Sequence, residues 1–341
     1  MTEIKNTYTW QVDGHAWAVN YIMKSMTHQR SRHAYLITGI SDIGKSRFAH
    51  QFAQTLNCEV EDVNLRPCGQ CRSCRLIQSG NHPDTIYTEN DPKTGRLKID
   101  EIRQLIRLLS LKPYDSRYRI AILNNFDGAD PRAQDALLKT LEEPSSYAVL
   151  ILIAQSANSI QSTILSRSQL IALRPIPGAE VEAILLEKYN AQPDQAQLLA
   201  RLSSGRIEWA IRALNDPALL EERLQILDQL LELIYGKRLL RFNFADELDK
   251  LGRNQKVSVS YYLELWQSFW RDVLLIKQDQ AVKLTNIDRM IEIQQCAQRL
   301  LLPDILKALQ ATRHAHVTSK TTNANARLIF EIMFLDYPYL Y

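Results

Sequence analysis

Between Ala34 and Leu173 the hydrophobic positions follow two alternating rhythms. Short apolar runs of strand length occur at Ala34–Thr38, Asp84–Thr88, Arg119–Leu123, Ala148–Ala154 and Gln169–Leu173. Ala148–Ala154 contains no polar position, the pattern of a strand covered on both faces. The intervening segments show helical periodicity. Gly44–Leu56 and Ala133–Glu142 are two of them, and Ile99–Leu111 carries Ile102, Leu105, Ile106 and Leu109 on one face. Strand–helix alternation of this kind predicts an α/β domain, a parallel sheet with helices on both faces. The segment Arg174–Gly178 (RPIPG) breaks the pattern as a linker does. Beyond it no strand is recognisable. Ala179–Tyr189, Pro193–Leu202 and Ile207–Leu214 read as short helices, and a second break falls at Asn215–Pro217. Leu220, Leu224, Leu227, Leu231 and Ile234 then recur at intervals of four and three, one apolar helix stripe. Val259–Lys277, with Trp266, Phe269, Trp270 and Val273, predicts another helix, and two or three more follow. The expected domains are therefore residues 1–174 (α/β), 175–215 (small, helical) and 216–341 (all-helical).

Composition narrows the class without naming it. Of 341 residues 45% are hydrophobic and 23% charged, with only 11 Gly and 12 Pro, which excludes extensive disorder and collagen-like structure. The longest apolar run, Tyr147–Ala154, falls far short of the roughly 18–20 residues that span a bilayer. The first residues lack the basic start, apolar stretch and cleavage site of a secretory signal, so a cytoplasmic location with no membrane partner is expected. A net charge of +3 is too mild to predict nucleic-acid binding by itself.

Chemistry enters with Gly39-Ile-Ser-Asp-Ile-Gly44-Lys45-Ser46, a full match to G-x-x-x-x-G-K-[ST] between a predicted strand and a predicted helix. Glycines let backbone N–H groups turn toward phosphate oxygens, and the helix N-terminus adds positive potential. Lys45 would reach the β- and γ-phosphates of ATP or ADP, and Ser46 would hold Mg²⁺. Hydrolysis needs more: a carboxylate at the end of a neighbouring strand to share the Mg²⁺, and a group to orient water. After Arg119–Leu123 stand Asn124 and Asn125. These amides are neutral, cannot act as bases and are poor partners for a hard dication. Asp127 comes three residues after Asn124 and is expected to face elsewhere. The pattern is a nucleotide-shaped pocket without its catalytic carboxylates, and a loop that keeps its shape without binding nucleotide fits it too.

Four of the five cysteines, Cys58, Cys68, Cys71 and Cys74, lie within seventeen residues. In a large cytoplasmic chain such a cluster reads as metal ligands rather than disulfides. A closed Cys₄ set suits structural Zn²⁺. The iron–sulfur alternative continues its C-x2-C-x2-C run with x3-C-P, and here the corresponding residue is Gln78. Cys296, on a predicted helix, reads as a buried thiol.

Taken in order, these features resemble bacterial clamp-loader subunits of the AAA+ class. The resemblance rests on His33-Ala-Tyr-Leu-Ile-Thr-Gly39 leading into the phosphate loop, the four-cysteine insert after the first helix, and His82-Pro-Asp84 before the next strand. It continues with Leu137-Leu-Lys-Thr-Leu-Glu-Glu-Pro144 and Ile164-Leu-Ser166-Arg167-Ser168. It covers about residues 1–214, and the remainder fits in kind, including Asn323-Ala-Asn-Ala. The implied architecture is an AAA+ P-loop domain with a zinc insert, a small helical lid and a helical collar for oligomerisation. Two kinds of subunit in the family carry the zinc insert, and this sequence resembles the shorter kind, which has often lost the acids after the third strand. It departs from some members of that kind in keeping the phosphate loop intact. The lid of AAA+ ATPases offers a sensing arginine to the bound phosphate, and by register with Gly205-Arg-Ile-Glu208 that position is Glu208, with Arg206 beside it. The Ser-Arg-Cys signature of the family appears as Ser166-Arg167-Ser168. The resemblance implies that Arg167 is an arginine finger for ATP held by a neighbouring motor subunit. The implied partners are gamma/tau-like motor subunits and the clamp-opening delta subunit, and, through the complex, the sliding clamp and primed DNA. Any polymerase label would belong to the holoenzyme, because no triplet of acidic ligands for nucleotidyl transfer is evident.

Rival readings remain. An active motor-type ATPase would depend on Lys45. A P-loop small-molecule kinase leaves the cysteine insert without a role. A zinc-dependent nucleic-acid module would use Arg66, Arg72 and Arg75. Ala136, Leu137, Leu138 and Leu141 read as a core-facing stripe, His82 as a turn or packing residue, and Trp266 and Trp270 as core or interface. Lys98, Arg103 and Arg107 share one predicted helix, either as a solvated face or as an approach to a DNA backbone.

Overall fold

The computed structural model describes residues 10–88, 97–253, 259–280, 284–321 and 325–340. Asn323 and Ala324 of the expected Asn-Ala-Asn-Ala motif lie outside these. The chain divides into two compact units, Met1–Ile184 with Gly205–Trp209, and Leu185–Ser204 with Ala210–Tyr341.

In the first unit the elements run α1 (Ala16–Thr27), β1 (Ala34–Thr38), α2 (Lys45–Asn57), α3 (Arg72–Gln78), β2 (Thr85–Tyr87), α4 (Ile99–Leu109), β3 (Arg119–Leu123), α5 (Pro131–Glu142), β4 (Ala148–Ala154), α6 (Ser162–Arg167) and β5 (Gln169–Ala172). The strands form one sheet in the order β2-β3-β4-β1-β5, every pairing parallel. The register sets Ala34 against Leu150 and Tyr35 against Gln169, so β1 lies between β4 and β5.

Period-two alternation divides the apolar side chains between two cores. Tyr35, Ile37, Ile120, Ile122 and Ile151 pack with Val19 and Ile22 of α1 and Phe48 and Phe52 of α2. Tyr35 meets Phe52 edge-on at 4.7 Å between ring centres. Leu36, Ala121, Leu123, Leu150 and Leu152 pack with Ile102 and Leu105 of α4, Leu137 and Leu141 of α5 and Ile164 of α6. Both faces being covered, β1, β3 and β4 are buried along their whole lengths.

Of the expected core stripe on α5, Leu137 and Leu141 are buried, while Ala136 and Leu138 sit at its margin and Ala133 and Gln134 complete it. That helix begins at Pro131, earlier than the periodicity suggests. Asp130 caps it by accepting the Ala133 N–H at 2.9 Å, and proline suits the first position because its missing N–H is not needed there. The short helices α3 and α6, and α1, gave no pattern strong enough to predict.

Helices α7 (Gly178–Tyr189), α8 (Pro193–Ser203) and α9 (Ile207–Asn215) follow the linker, then α10 (Pro217–Tyr235), α11 (Arg238–Arg253), α12 (Val259–Lys277), α13 (Met290–Arg299), α14 (Leu302–Thr321) and α15 (Ala326–Leu335). The second unit has its own core around Trp266, Trp270, Phe330 and Phe334. Trp266 and Trp270 are fully buried and belong to that core, and Cys296 is a buried thiol. On α10 the buried stripe is Arg223, Ile226, Leu227, Leu230, Leu233 and Ile234, whereas Leu220, Leu224 and Leu231 are only half-buried. The observed stripe is rotated from the expected one and opens on an arginine. Arg223 donates to Asp288 at 2.6 Å and to Asn286, so a polar residue takes a core position that hydrophobic periodicity cannot register. Among the described residues no helix is long and apolar enough to cross a membrane.

Candidate functional site

The phosphate loop leaves β1 at the edge of the sheet where the parallel strands end. Gly39 is required because a Cβ there would stand 2.8 Å from the Leu173 carbonyl oxygen. Gly44, with φ +106°, sits in a region that side chains disfavour and starts α2 at Lys45. No side chain caps α2, so its first-turn N–H groups face the loop. Lys45 Nζ donates to the Gly39 and Ile40 carbonyls, each at 2.7 Å. Its burial pushes the ammonium pKa down, against the opposing pull of Asp127, Asp42 and Glu208. Ser46 is exposed on the first turn of α2.

Asn124 and Asn125 stand at the end of β3 as expected. The Asn124 N–H donates to the Thr88 hydroxyl at 3.3 Å. Asn125 is in the left-handed region (φ 49°), which asparagine tolerates. Of the carboxylates whose charge opposes that downward push on Lys45, Asp127 acts most strongly. Glu208 also reaches the loop. Its backbone N–H donates to the Asp42 carbonyl at 3.0 Å, and its carboxylate lies 3.6 Å from Arg47 Nε. Arg47 in turn pairs with Asp13 at 2.8 Å. Arg206, the alternative sensing residue, lies over the Trp209 ring at 5.7 Å. His15 Nε2 donates to the Ile43 carbonyl at 2.7 Å, and burial keeps its imidazole pKa low. Asp13, His15 and Arg47 belong to no sequence motif and were not foreseen.

The four cysteines converge. The sulfurs of Cys58, Cys68, Cys71 and Cys74 all lie within 4.8 Å of one another, a set that can hold a metal ion. Backbone N–H groups point at three of these sulfurs: Cys68 N at Cys58 Sγ (3.4 Å), Cys71 N at Cys68 Sγ (3.3 Å) and Cys74 N at Cys71 Sγ (3.4 Å). Such donors favour thiolates. Against the upward push of burial, the N–H groups of Cys71 and Gln70 and the neighbouring thiols bring Cys68 down to about 7. Burial pushes Cys58 and Cys74 up. Four soft donors at this separation, with donors aimed at sulfur, fit a tetrahedral ion such as Zn²⁺.

His82 couples this module to the sheet. Its Nδ1 accepts the Asp84 N–H at 3.1 Å, which leaves Nε2 to donate to Ser73 Oγ on α3 at 3.1 Å. Burial lowers its pKa and holds it neutral, so it is a packing and turn residue. Of the three arginines near the cysteines, Arg66 turns back to the Val60 and Glu61 carbonyls and Arg72 pairs with Asp115 at 2.6 Å.

Arg167 is the last residue of α6 and is exposed. Its Nη2 donates to Glu142 Oε1 at 2.8 Å, and its Nη1 to the Thr163 carbonyl at 3.0 Å. On the same face of the unit, Arg103 and Arg107 of α4 are joined by Arg132 of α5 around a groove of about 660 Å³, which Ile99, Ile106, Asp135 and Ala136 also line. Lys98 precedes α4 outside that lining. Arg132 was missed because it lies on a different helix from the other two.

A family model described as DNA polymerase III, delta subunit, matches residues 14–177. The chain is 27% identical to DNA polymerase III subunit delta' of Bacillus subtilis over 92% of its own length and 93% of that protein. It is 31% identical to subunit delta' of Pseudomonas aeruginosa over 59–61% of each, that is 61% of that protein's length. It is also 30% identical to subunit tau/gamma of Haemophilus influenzae over 61% of this chain, spanning only 30% of that longer relative. With these motifs gathered in one unit, the chain is similar to the delta-prime and tau/gamma subunits of DNA polymerase III.

Proposed function

We propose that the protein is the non-hydrolysing delta-prime subunit of a bacterial replicative clamp loader. In this reading residues 1–174 form the AAA+ domain, 175–215 its lid and 216–341 the collar that assembles with gamma/tau-like motor subunits and a delta subunit. The chain presents Arg167 to ATP held by a neighbouring motor subunit, and the assembly places the sliding clamp on primed DNA. A guanidinium offers delocalised charge and forked donors to a γ-phosphate, and such a group supplied in trans accelerates related reactions by about 10³–10⁵. The cysteines hold Zn²⁺ as a structural ion with no open coordination position for chemistry. The groove of Arg103, Arg107 and Arg132 suits a phosphate backbone.

The observation that carries this reading is the pair of amides, Asn124 and Asn125, beside an otherwise intact phosphate loop. Glu208 at the same loop adds to it, because a carboxylate there repels a γ-phosphate. A second reading, a motor-type ATPase, draws on the intact Lys45 and on the nearby Asp127 carboxylate. ATP turnover separates the two. We expect none from the isolated chain. In the assembled complex, Arg167→Ala should lower DNA-stimulated ATPase by about tenfold or more, while Lys45→Ala should change it less than about twofold. The reverse order of effects would establish the motor reading.

A further inference from the structure

The Arg167 guanidinium is occupied by the chain's own oxygens. Nη2 is on Glu142 at 2.8 Å, and Nη1 is on the Thr163 carbonyl at 3.0 Å and the Ser166 hydroxyl at 3.4 Å. These two nitrogens form the end-on fork with which arginine binds phosphate. We propose that Glu142 is a positioning residue that keeps this fork closed until a nucleotide phosphate on a neighbouring subunit displaces it. The proposal rests on the reading of Arg167 as a finger.

Three features of the site support it. Glu142 is the final residue of α5, where the helix dipole disfavours a carboxylate. Helix stability therefore does not account for an acid at this position, and the neighbouring guanidinium does. Next, α5 and the segment leading into α6 are fastened together. Gln134 donates to the Ser159 carbonyl at 3.2 Å and accepts the Gln161 N–H at 3.0 Å, and Gln161 donates to the Pro131 carbonyl at 3.3 Å. The carboxylate is thus carried on a frame that holds it within reach of Arg167. Finally, the pair is exposed, 37% for Arg167 and 51% for Glu142. Exposed pairs are weak, so this one can orient the arginine and still yield to a phosphate, which carries more charge and offers more acceptor oxygens.

The test compares wild type, Glu142→Gln, Arg167→Ala and the double variant, each assembled with its motor and delta-type partners. ATP hydrolysis is followed across ATP concentration with and without primed DNA and clamp. Glutamine keeps the shape and one acceptor oxygen but removes the charge. The half-saturating ATP concentration should fall about two- to fivefold in Glu142→Gln, the size set by an exposed ion pair, with the saturated DNA-stimulated rate unchanged. In the Arg167→Ala background the same substitution should do nothing. A purely structural Glu142 would instead shift the thermal unfolding of the free chain, which we expect to stay the same. If Glu142→Gln lowers the saturated rate, or leaves both parameters unchanged while Arg167→Ala still impairs hydrolysis, the closure proposal is wrong and the finger stands. If Arg167→Ala itself has no effect, the finger reading fails and the closure proposal with it.

Discussion

Asp84 shows how a single carboxylate can be both buried and ionised. It has no exposed surface, yet it accepts the N–H groups of Tyr114 (2.7 Å) and Asp115 (2.9 Å), the Ser116 hydroxyl (2.8 Å) and Arg119 Nη1 (3.0 Å). Burial alone would push its pKa up. The two backbone donors, the hydroxyl and the guanidinium outweigh that and hold it below the usual carboxylate range. A depressed folded pKa stabilises the protein above the unfolded value of about 3.9, and this contribution is lost as pH falls through the folded pKa. Asp84→Asn should therefore cost about 2–4 kcal/mol at pH 7, since it leaves Arg119 buried without its charge partner. The gap from wild type should narrow as the pH drops below about 4. Urea unfolding of both proteins across that range measures it, and a gap independent of pH would show that shape rather than charge is what Asp84 supplies.

At the scale of elements, the cysteine module meets the rest of its unit on α2 and at the approach to β2, with Ile77 of α3 reaching the core. Gln54 donates to the Cys74 carbonyl at 2.8 Å, and Ser73 meets His82 just before β2. If the cysteines hold an ion as proposed, chelating it should loosen Cys58–Gln78 and the edge strand β2, while β1 and β4, buried at the sheet centre, stay protected. Hydrogen exchange before and after chelation would show this, and loss of protection in β4 would mean the ion supports the whole sheet. The module was legible in the sequence because its ligands are close along the chain and their spacing is itself the signal. The phosphate loop and the amides after β3 were legible for the same reason. The contact between Arg167 and Glu142 was not, because 25 residues separate them and no periodicity links two exposed helix ends. The left-handed turn at Asn125 was not legible either, because residue counting carries no backbone angle.

At the scale of the whole molecule, the α/β part was readable because long apolar strands and helix periods agree with one another there. The helical part was readable only in outline. Two of its central residues are arginines, Arg223 and Arg241, nearly without exposed surface, and burial of charge leaves no trace in a hydrophobic pattern. Arg241 organises the end of the chain. Its Nε donates to the Leu233 carbonyl at 2.8 Å, and its terminal nitrogens donate to the carbonyls of Phe334 (3.1 Å), Tyr337 (2.8 Å) and Pro338 (2.5 Å). Its guanidinium also lies 3.6 Å from the centre of the Tyr339 ring. One side chain thereby ties α10 to the segment after α15, satisfying carbonyls that the helix ends leave open. Arg241→Ala should cost about 3 kcal/mol or more, because several buried carbonyls lose their donors together. Arg241→Lys should recover little of that, since an ammonium cannot span acceptors spread around a planar fork. Trp266 and Trp270, buried in the same core, report the transition by fluorescence. If this unit is the collar, both variants should also weaken assembly with partner subunits in proportion to the stability lost. Full stability in Arg241→Ala would mean that the chain end is held by the aromatic packing of Phe334 and Tyr337 on Trp270 rather than by the arginine.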